Sequence, residues 1–266
     1  LSTRLLDFET QESYYKLILS RYRHYCAGLN GNNHLNKAFA AMAIGPAYVG
    51  TAVSLPAASS EASSKRAARS AQDLSTIMMA MRKLREAIVA SARTDAFARD
   101  AYLHMIRTAI VTKHMESYHP AILHLIRKIH PTSALSRLEY HEFVGYYILD
   151  LACRQNDLAQ AYDVRIRAGY KDVHVDMILR AVVHDNWHLF WNAHRSATEY
   201  QKRLMEWHGD SMRKYVLKCI GRSYLEVEKS FIETAAASSW EHLQKGENLG
   251  WELNGELVTI RRIKKK

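Results

Sequence analysis

The chain has 266 residues, 48% of them hydrophobic and 24% charged, with only four prolines and eleven glycines. That composition is that of an ordered, helix-rich globular protein rather than a disordered one, and the length suits one elongated domain or two modest ones. The net charge of +10 is uneven, with the positive excess in residues 1–138 and again after 208 while 139–208 is slightly acidic, so nucleic acid at one end and a protein partner elsewhere are both admissible.

Three widely spaced cysteines, Cys26, Cys153 and Cys219, form no CxxC pair, which argues against a zinc finger or a disulfide framework and for a reducing compartment, nucleus or cytoplasm. No apolar run reaches the ~18 residues of a membrane span, and no signal-peptide layout opens the chain, so no membrane is expected. The start at Leu1 rather than Met points to further sequence upstream.

In chain order, Tyr14, Tyr15, Leu17, Ile18, Tyr22 and Tyr25 form a helical stripe over 8–29 closed by Gly28, and a second short helix is expected at 34–43. These make an N-terminal helical region, 1–44. The stretch GPAYVGTAVSLPAASSEASSKRAARSAQ, with two prolines, two glycines and many small polar residues, reads as a mobile linker over 45–72. Helical spacing returns at Leu74, Ile77, Met78, Met81, Leu84 and Ile88, then at Phe97, Ala101, Met105, Ile106 and Ile110. A third helix, carrying Ile122, Leu125 and Ile129, is expected to begin after Pro120 and stop before Pro131.

Residues 139–197 give helices near 139–154, 157–168, 173–184 and 186–197, with Asp157, Asp172 and either Asp185 or Asn186 as N-caps. Helices of about three turns cannot bury a face alone, so the region 73–208 is expected to stack as a tetratricopeptide-like helical repeat, although no strict repeated motif is present. After 209 come a helix over 211–224, an extended YLEV, a helix EKSFIETAAA and a helix from Ser238 or Ser239 through WEHLQKGENL. Two strands, Gly250 to Leu253 and Glu256 to Ile263, are joined by Asn254-Gly255, whose tolerance of positive φ predicts a type I′ hairpin. That order is the order of a winged helix, assigned to 209–266. The expected fold class is therefore all-α: a helical-repeat solenoid followed by a C-terminal winged helix with a short β-hairpin.

The stretches EFVGYYILDLACRQNDLAQA (142–161), AVVHDNWHLFWNAH (181–194), MRKYVLKCIGRSYLEVEKSFIE (212–233) and GWELNGELVTIRR (250–262) together resemble the PCI superfamily of proteasome lid, signalosome and initiation factor subunits. The resemblance covers 139–266 by pattern and 73–138 by architecture; residues 1–72 match nothing. Two branches fit about equally, the small lid-type subunits and the messenger-RNA export branch typified by Sac-three and GANP proteins, and the basic balance favours the second. The resemblance implies no catalytic residues and a partner that is another subunit of this kind, pairing winged helix to winged helix.

Other residue groupings offer little chemistry. His184 and His188 stand at i and i+4, with His194 or Asp185 as a third candidate, but the Glu of HExxH is absent and Trp187, Phe190 and Trp191 claim the segment for packing. The histidines at 104, 114, 119, 124 and 130, beside Arg107, Lys113, Arg127 and Lys128, suit either a phosphate-contacting face or a solvated one. No phosphate-binding glycine loop or GxSxG occurs, Cys153 and Cys219 read as small core residues, and Glu139 with Glu142 has no companion acid or base. No enzyme activity, metal or cofactor is expected. The tail RRIKKK is the sharpest charge feature. The expected function is a non-catalytic scaffold subunit whose partner surface comprises Trp251, Leu253, Leu257, Val258 and Ile260. The alternative is an RNA- or DNA-binding module of an export or processing complex, contacting phosphate non-specifically through Lys214, Lys218, Arg261, Arg262, Lys264, Lys265 and Lys266.

Overall fold

Five helix starts in this chain are set by small polar caps. Asp95, Asp157, Asp172, Asn186 and Thr198 each accept a backbone N–H from the first turn of the following helix, satisfying donors that have no partner within it. The structure, a computed structural model, describes residues 3–28, 60–247 and 249–261; the helix expected at 34–43 and most of the linker expected at 45–72 lie outside the described residues. The fold is mostly helical with a small three-stranded antiparallel sheet near the C-terminus. It divides into two compact units, Leu1–Phe143 and Val144–Lys266.

The first unit contains α1 (Phe8–Gly28), α2 (Ser60–Ala90), α3 (Ala96–Val111) and α4 (Met115–His124), the last running on through a π turn at Leu125–Ile129. Ile18 and Tyr22 of α1, Ile77, Leu84 and Ile88 of α2, and Tyr102 and Ile106 of α3 are buried in its core. Leu17, expected in the apolar stripe of α1, points instead to solvent. Two further expectations change. Helix α2 begins at Ser60, inside the segment assigned to a linker, because after Pro56 the sequence holds no helix breaker and is rich in alanine, lysine and arginine. Helix α4 begins at Met115 and keeps Pro120 in its interior. The backbone bond that proline forfeits costs ~3 kcal/mol, and burial of Tyr118, Ala121 and Ile122 outweighs it.

Helix α5 (Arg137–Leu149) continues through a second π turn, Asp150–Arg154, and crosses the division between the units. The second unit then holds α6 (Leu158–Arg167), α7 (Val173–Val183), α8 (Trp187–Ser196) and α9 (Glu199–Ser223). The boundary expected at 208/209 falls inside α9, which is one continuous helix of 25 residues. Gly209 is no breaker there; it is buried on the helix beside the rings of Trp191, and a capping box at Thr198 and Gln201 starts the helix earlier than expected.

Beyond α9 come β1 (Glu226–Glu228), α10 (Lys229–Ala236), α11 (Trp240–Glu247), β2 (Glu252–Asn254) and β3 (Leu257–Thr259). The strand order is β1-β3-β2, all antiparallel, with Val227 and Leu253 flanking Val258 in one row. The extended YLEV is thus a third strand added to the expected hairpin. Its turn also differs: Asn254 pairs with Leu257, so the two loop residues are Gly255 and Glu256, and only Gly255 has positive φ, at 65°. Glycine at the first loop position is the type II′ pattern rather than type I′. Val216, Leu217 and Ile220 of α9, Ile232, Ala235 and Ala236 of α10, Trp240 and Leu243 of α11, and Val258 of β3 form one core.

Candidate functional site

The described residues with expected roles gather around this C-terminal sheet and α9, and the structure sorts the apolar ones into three groups. Val258 belongs to the core and cannot meet a partner. It is the central residue of the central strand, on the face turned to α9 and α11, so its exposure was the wrong inference from an amphipathic hairpin. Trp251 and Ile260 are half-buried against the same core, while Leu253 and Leu257 stay 38% and 40% exposed. Of the expected partner residues, then, Leu253 and Leu257 are the ones available at the surface.

The charged residues divide differently from expectation. Lys214, Lys218 and Arg261 are exposed, whereas Arg262 and Lys264 to Lys266 lie outside the described residues. Arg261 donates from Nη2 to the carbonyl of Arg222 at 2.7 Å, placing a cation at the C-terminus of α9, where the last carbonyls concentrate negative charge. The hairpin between residues 249 and 260 holds no lysine or arginine at all. Cross-strand pairing puts Glu226, Thr259 and Glu252 in one row and Glu228, Leu257 and Asn254 in the next, on the face opposite Val258, with Glu256 in the turn. The sheet surface is therefore acidic, and the basic wing becomes a basic helix face. Sequence reasoning missed this because strand pairing, not the number of charges, decides which side chains share a face.

Phe231, read from the sequence as part of an apolar core and docking face, is exposed, and sequence reasoning missed the exposed Tyr224 and Leu225 that lead into β1. Tyr224 and Phe231 contact edge to face with centroids 6.0 Å apart. Leu225 accepts backbone N–H groups of Ile260 and Arg261 at 2.8 and 3.3 Å, extending the pairing of β3 past the strand. Alternation of apolar residues is absent here, so only their exposure in the folded chain marks them.

The remaining groupings are structural. Trp191 donates its indole N–H to the Ala235 carbonyl at 3.0 Å, and Phe190 is fully buried, so the helix bearing His188 is held by its aromatic residues. His184 and His188 are both exposed, and Asp185 takes a left-handed conformation between the helices. No group of three or more His, Cys, Asp or Glu among the described residues is disposed to hold a metal ion. The five histidines of residues 104–130 do not share a solvated face. His104 lies between the rings of Tyr15 and Tyr22, and burial draws its pKa down to about 4. His124 lies against Tyr102, and His130 stacks on Tyr140 while its Nδ1 accepts the Leu135 N–H. Burial pushes the Cys153 thiol up to about 12, far from a nucleophile's range. Glu142, left without a companion in the sequence reading, forms a two-bond pair with Arg107 at 2.9 and 2.7 Å.

No protein-family model matches the chain, and no curated protein matches it either.

Proposed function

We propose that the chain is a non-catalytic subunit that docks another subunit within a multi-protein assembly, with residues 209–266 read as a winged helix and residues 73–208 as a helical repeat. The observation that carries this reading is the open side of the sheet. Strand β2 pairs only with β3, and its outer backbone edge has no strand beside it among the described residues. An uncovered edge is a template for a further strand. Leu253 on that edge and Leu257 on the neighbouring β3 leave apolar side chains at the surface beside it. The resemblance to PCI subunits agrees with this use of the sheet, and it would place the protein in the nucleus or cytoplasm.

Affinity purification of the full chain followed by mass spectrometry tests the proposal. A second subunit should co-purify in stoichiometric amount from wild type. It should be lost from the double variant Leu253→Lys, Leu257→Lys, since lysine on an edge strand discourages strand addition. Thermal unfolding of the variant should stay close to wild type because both positions are exposed. Stoichiometric co-purification that survives the double variant would remove the sheet edge from the interface.

A further inference from the structure

Helix α9 presents one charged face. Met212, Val216, Leu217 and Ile220 turn inward, so the opposite arc holds Lys214, Lys218 and Arg222, each four residues and about 6 Å of helix from the next. All three are exposed, and Tyr215, 37% exposed, stands on the same arc. The ion pairs nearby, Arg213 with Asp210 and Lys229 with Glu241, leave these three cations uncommitted among the described residues. Arg261 adds a fourth, fixed beside Arg222 by its bond to the Arg222 carbonyl.

Aromatic rings border this row. Trp187 of α8 meets Tyr215 with centroids 6.4 Å apart. At the other end Trp251 lies so close to α9 that a Cβ on Gly221 would sit 3.2 Å from its ring. Carboxylates mark the limits of the face: Asp185 acts electrostatically on Tyr215 from the α7–α8 junction, and Glu226, Glu228, Glu252 and Glu256 occupy the sheet surface.

We propose that this face of α9 binds single-stranded nucleic acid, its phosphates along Lys214, Lys218, Arg222 and Arg261 and a base against Tyr215. The regular spacing of the cations is comparable to that between successive phosphates of a strand, and an adjoining aromatic ring is what an unpaired base stacks on. A duplex fits less well. The two elements a winged helix sets on duplex DNA are here α11, with Glu241 and Glu247 against Lys245, and a hairpin bearing Glu252 and Glu256. Both would bring carboxylates to phosphate. This site goes beyond the subunit-docking reading and stands whether or not a partner pairs with β2.

The test uses the full chain and a labelled oligouridylate, with duplex DNA of equal length and polyglutamate as competitors, over a series of salt concentrations. Wild type should bind the oligouridylate more tightly than either competitor. The triple variant Lys214→Ala, Lys218→Ala, Arg222→Ala should reduce the slope of log K against log salt by about 2, three contacts at ~0.7 each. Tyr215→Ala should weaken binding roughly fivefold or more without altering that slope, as loss of one stacked base does. Glu226→Gln with Glu228→Gln should strengthen binding, and these exposed positions give a readout even if the triple variant folds poorly. The inference is overturned if wild type does not bind the oligouridylate, if the triple variant binds like wild type and so leaves the contact to the tail bases, or if duplex or polyglutamate binds more tightly.

Discussion

Arg93 shows how one side chain can hold three segments together. Its guanidinium lies 4.3 Å from the ring of Phe8 and 4.2 Å from that of Phe97, and its side chain is only 3% exposed. It donates to Glu12 at 2.6 Å, to both carboxylate oxygens of Asp95 at 3.0 and 2.9 Å, and to the Phe8 carbonyl at 3.0 Å. The N-terminal helix is thereby tied to the turn between α2 and α3. Lysine offers one compact ammonium and no plane to fit between two rings, so Arg93→Lys should lower stability by about 1–3 kcal/mol despite keeping the charge. Denaturant titration of both proteins, followed by tyrosine and tryptophan fluorescence, measures the difference. A loss under half a kilocalorie would mean that the rings and carboxylates repack around the ammonium. Nothing in the sequence around Ser-Ala-Arg-Thr-Asp distinguishes this arginine from a solvated one; beyond the neighbouring Asp95, its partners Phe8 and Glu12 come from positions more than eighty residues away.

At the scale of elements, short-range signals located most helices, and long-range pairing corrected the strands. The caps Asp157 and Asp172, and Asn186 as one of two candidates with Asp185, were legible because a side-chain oxygen reaching an N–H two or three residues ahead is a local interaction. The hairpin was legible as a hairpin, but its register was not. Asn254 and Leu257 face each other because that register turns Val258 into the core, and a one-residue slip would expose it. Gly255 alone therefore carries positive φ, and no neighbouring atom crowds the place of a Cβ. Gly255→Val should then cost about 1–3 kcal/mol of local stability through backbone strain, whereas Asn254→Thr, at a strand position, should be nearly neutral. Hydrogen exchange of the β3 amides in the two variants separates the cases. Equal effects would restore a type I′ turn centred on both residues.

For the whole molecule, histidines buried in their neutral form predict sensitivity to acid, His104 most of all. The first unit buries His104 on α3 between Tyr15 and Tyr22 of α1, with Arg107 and Arg23 adding repulsion to the cost of burial. Its Nε2 has no hydrogen-bond partner among the described residues. The folded form resists protonation down to about 4, whereas an unfolded chain takes up the proton near the ordinary value of 6.5. Stability from this group is fully present above pH 6.5 and is lost as pH falls toward 4, amounting to about 2 kcal/mol by pH 5. Stability should therefore be lower at pH 5 than at pH 7, with His194 and His208 of the second unit, whose pKa values burial also lowers, acting in the same sense. His104→Leu should remove most of the difference; an unchanged shift in that variant would trace the acid sensitivity to another group.

The sequence by itself determined the helical class, the position of most helices from α2 to α11, their caps, the existence of a C-terminal hairpin and the overall positive charge. These follow from local spacing, from capping chemistry and from composition, which need no distant partner. Only the tertiary structure decided that β1 joins the sheet, that Val258 is core while Leu253 and Leu257 are surface, that α9 runs unbroken through Gly209, and that the sheet is acidic while α9 is basic. Each of these depends on which faces meet across long stretches of chain. A segment's own pattern restricts that choice but does not make it, because burial against another element supplies more free energy than local preference does.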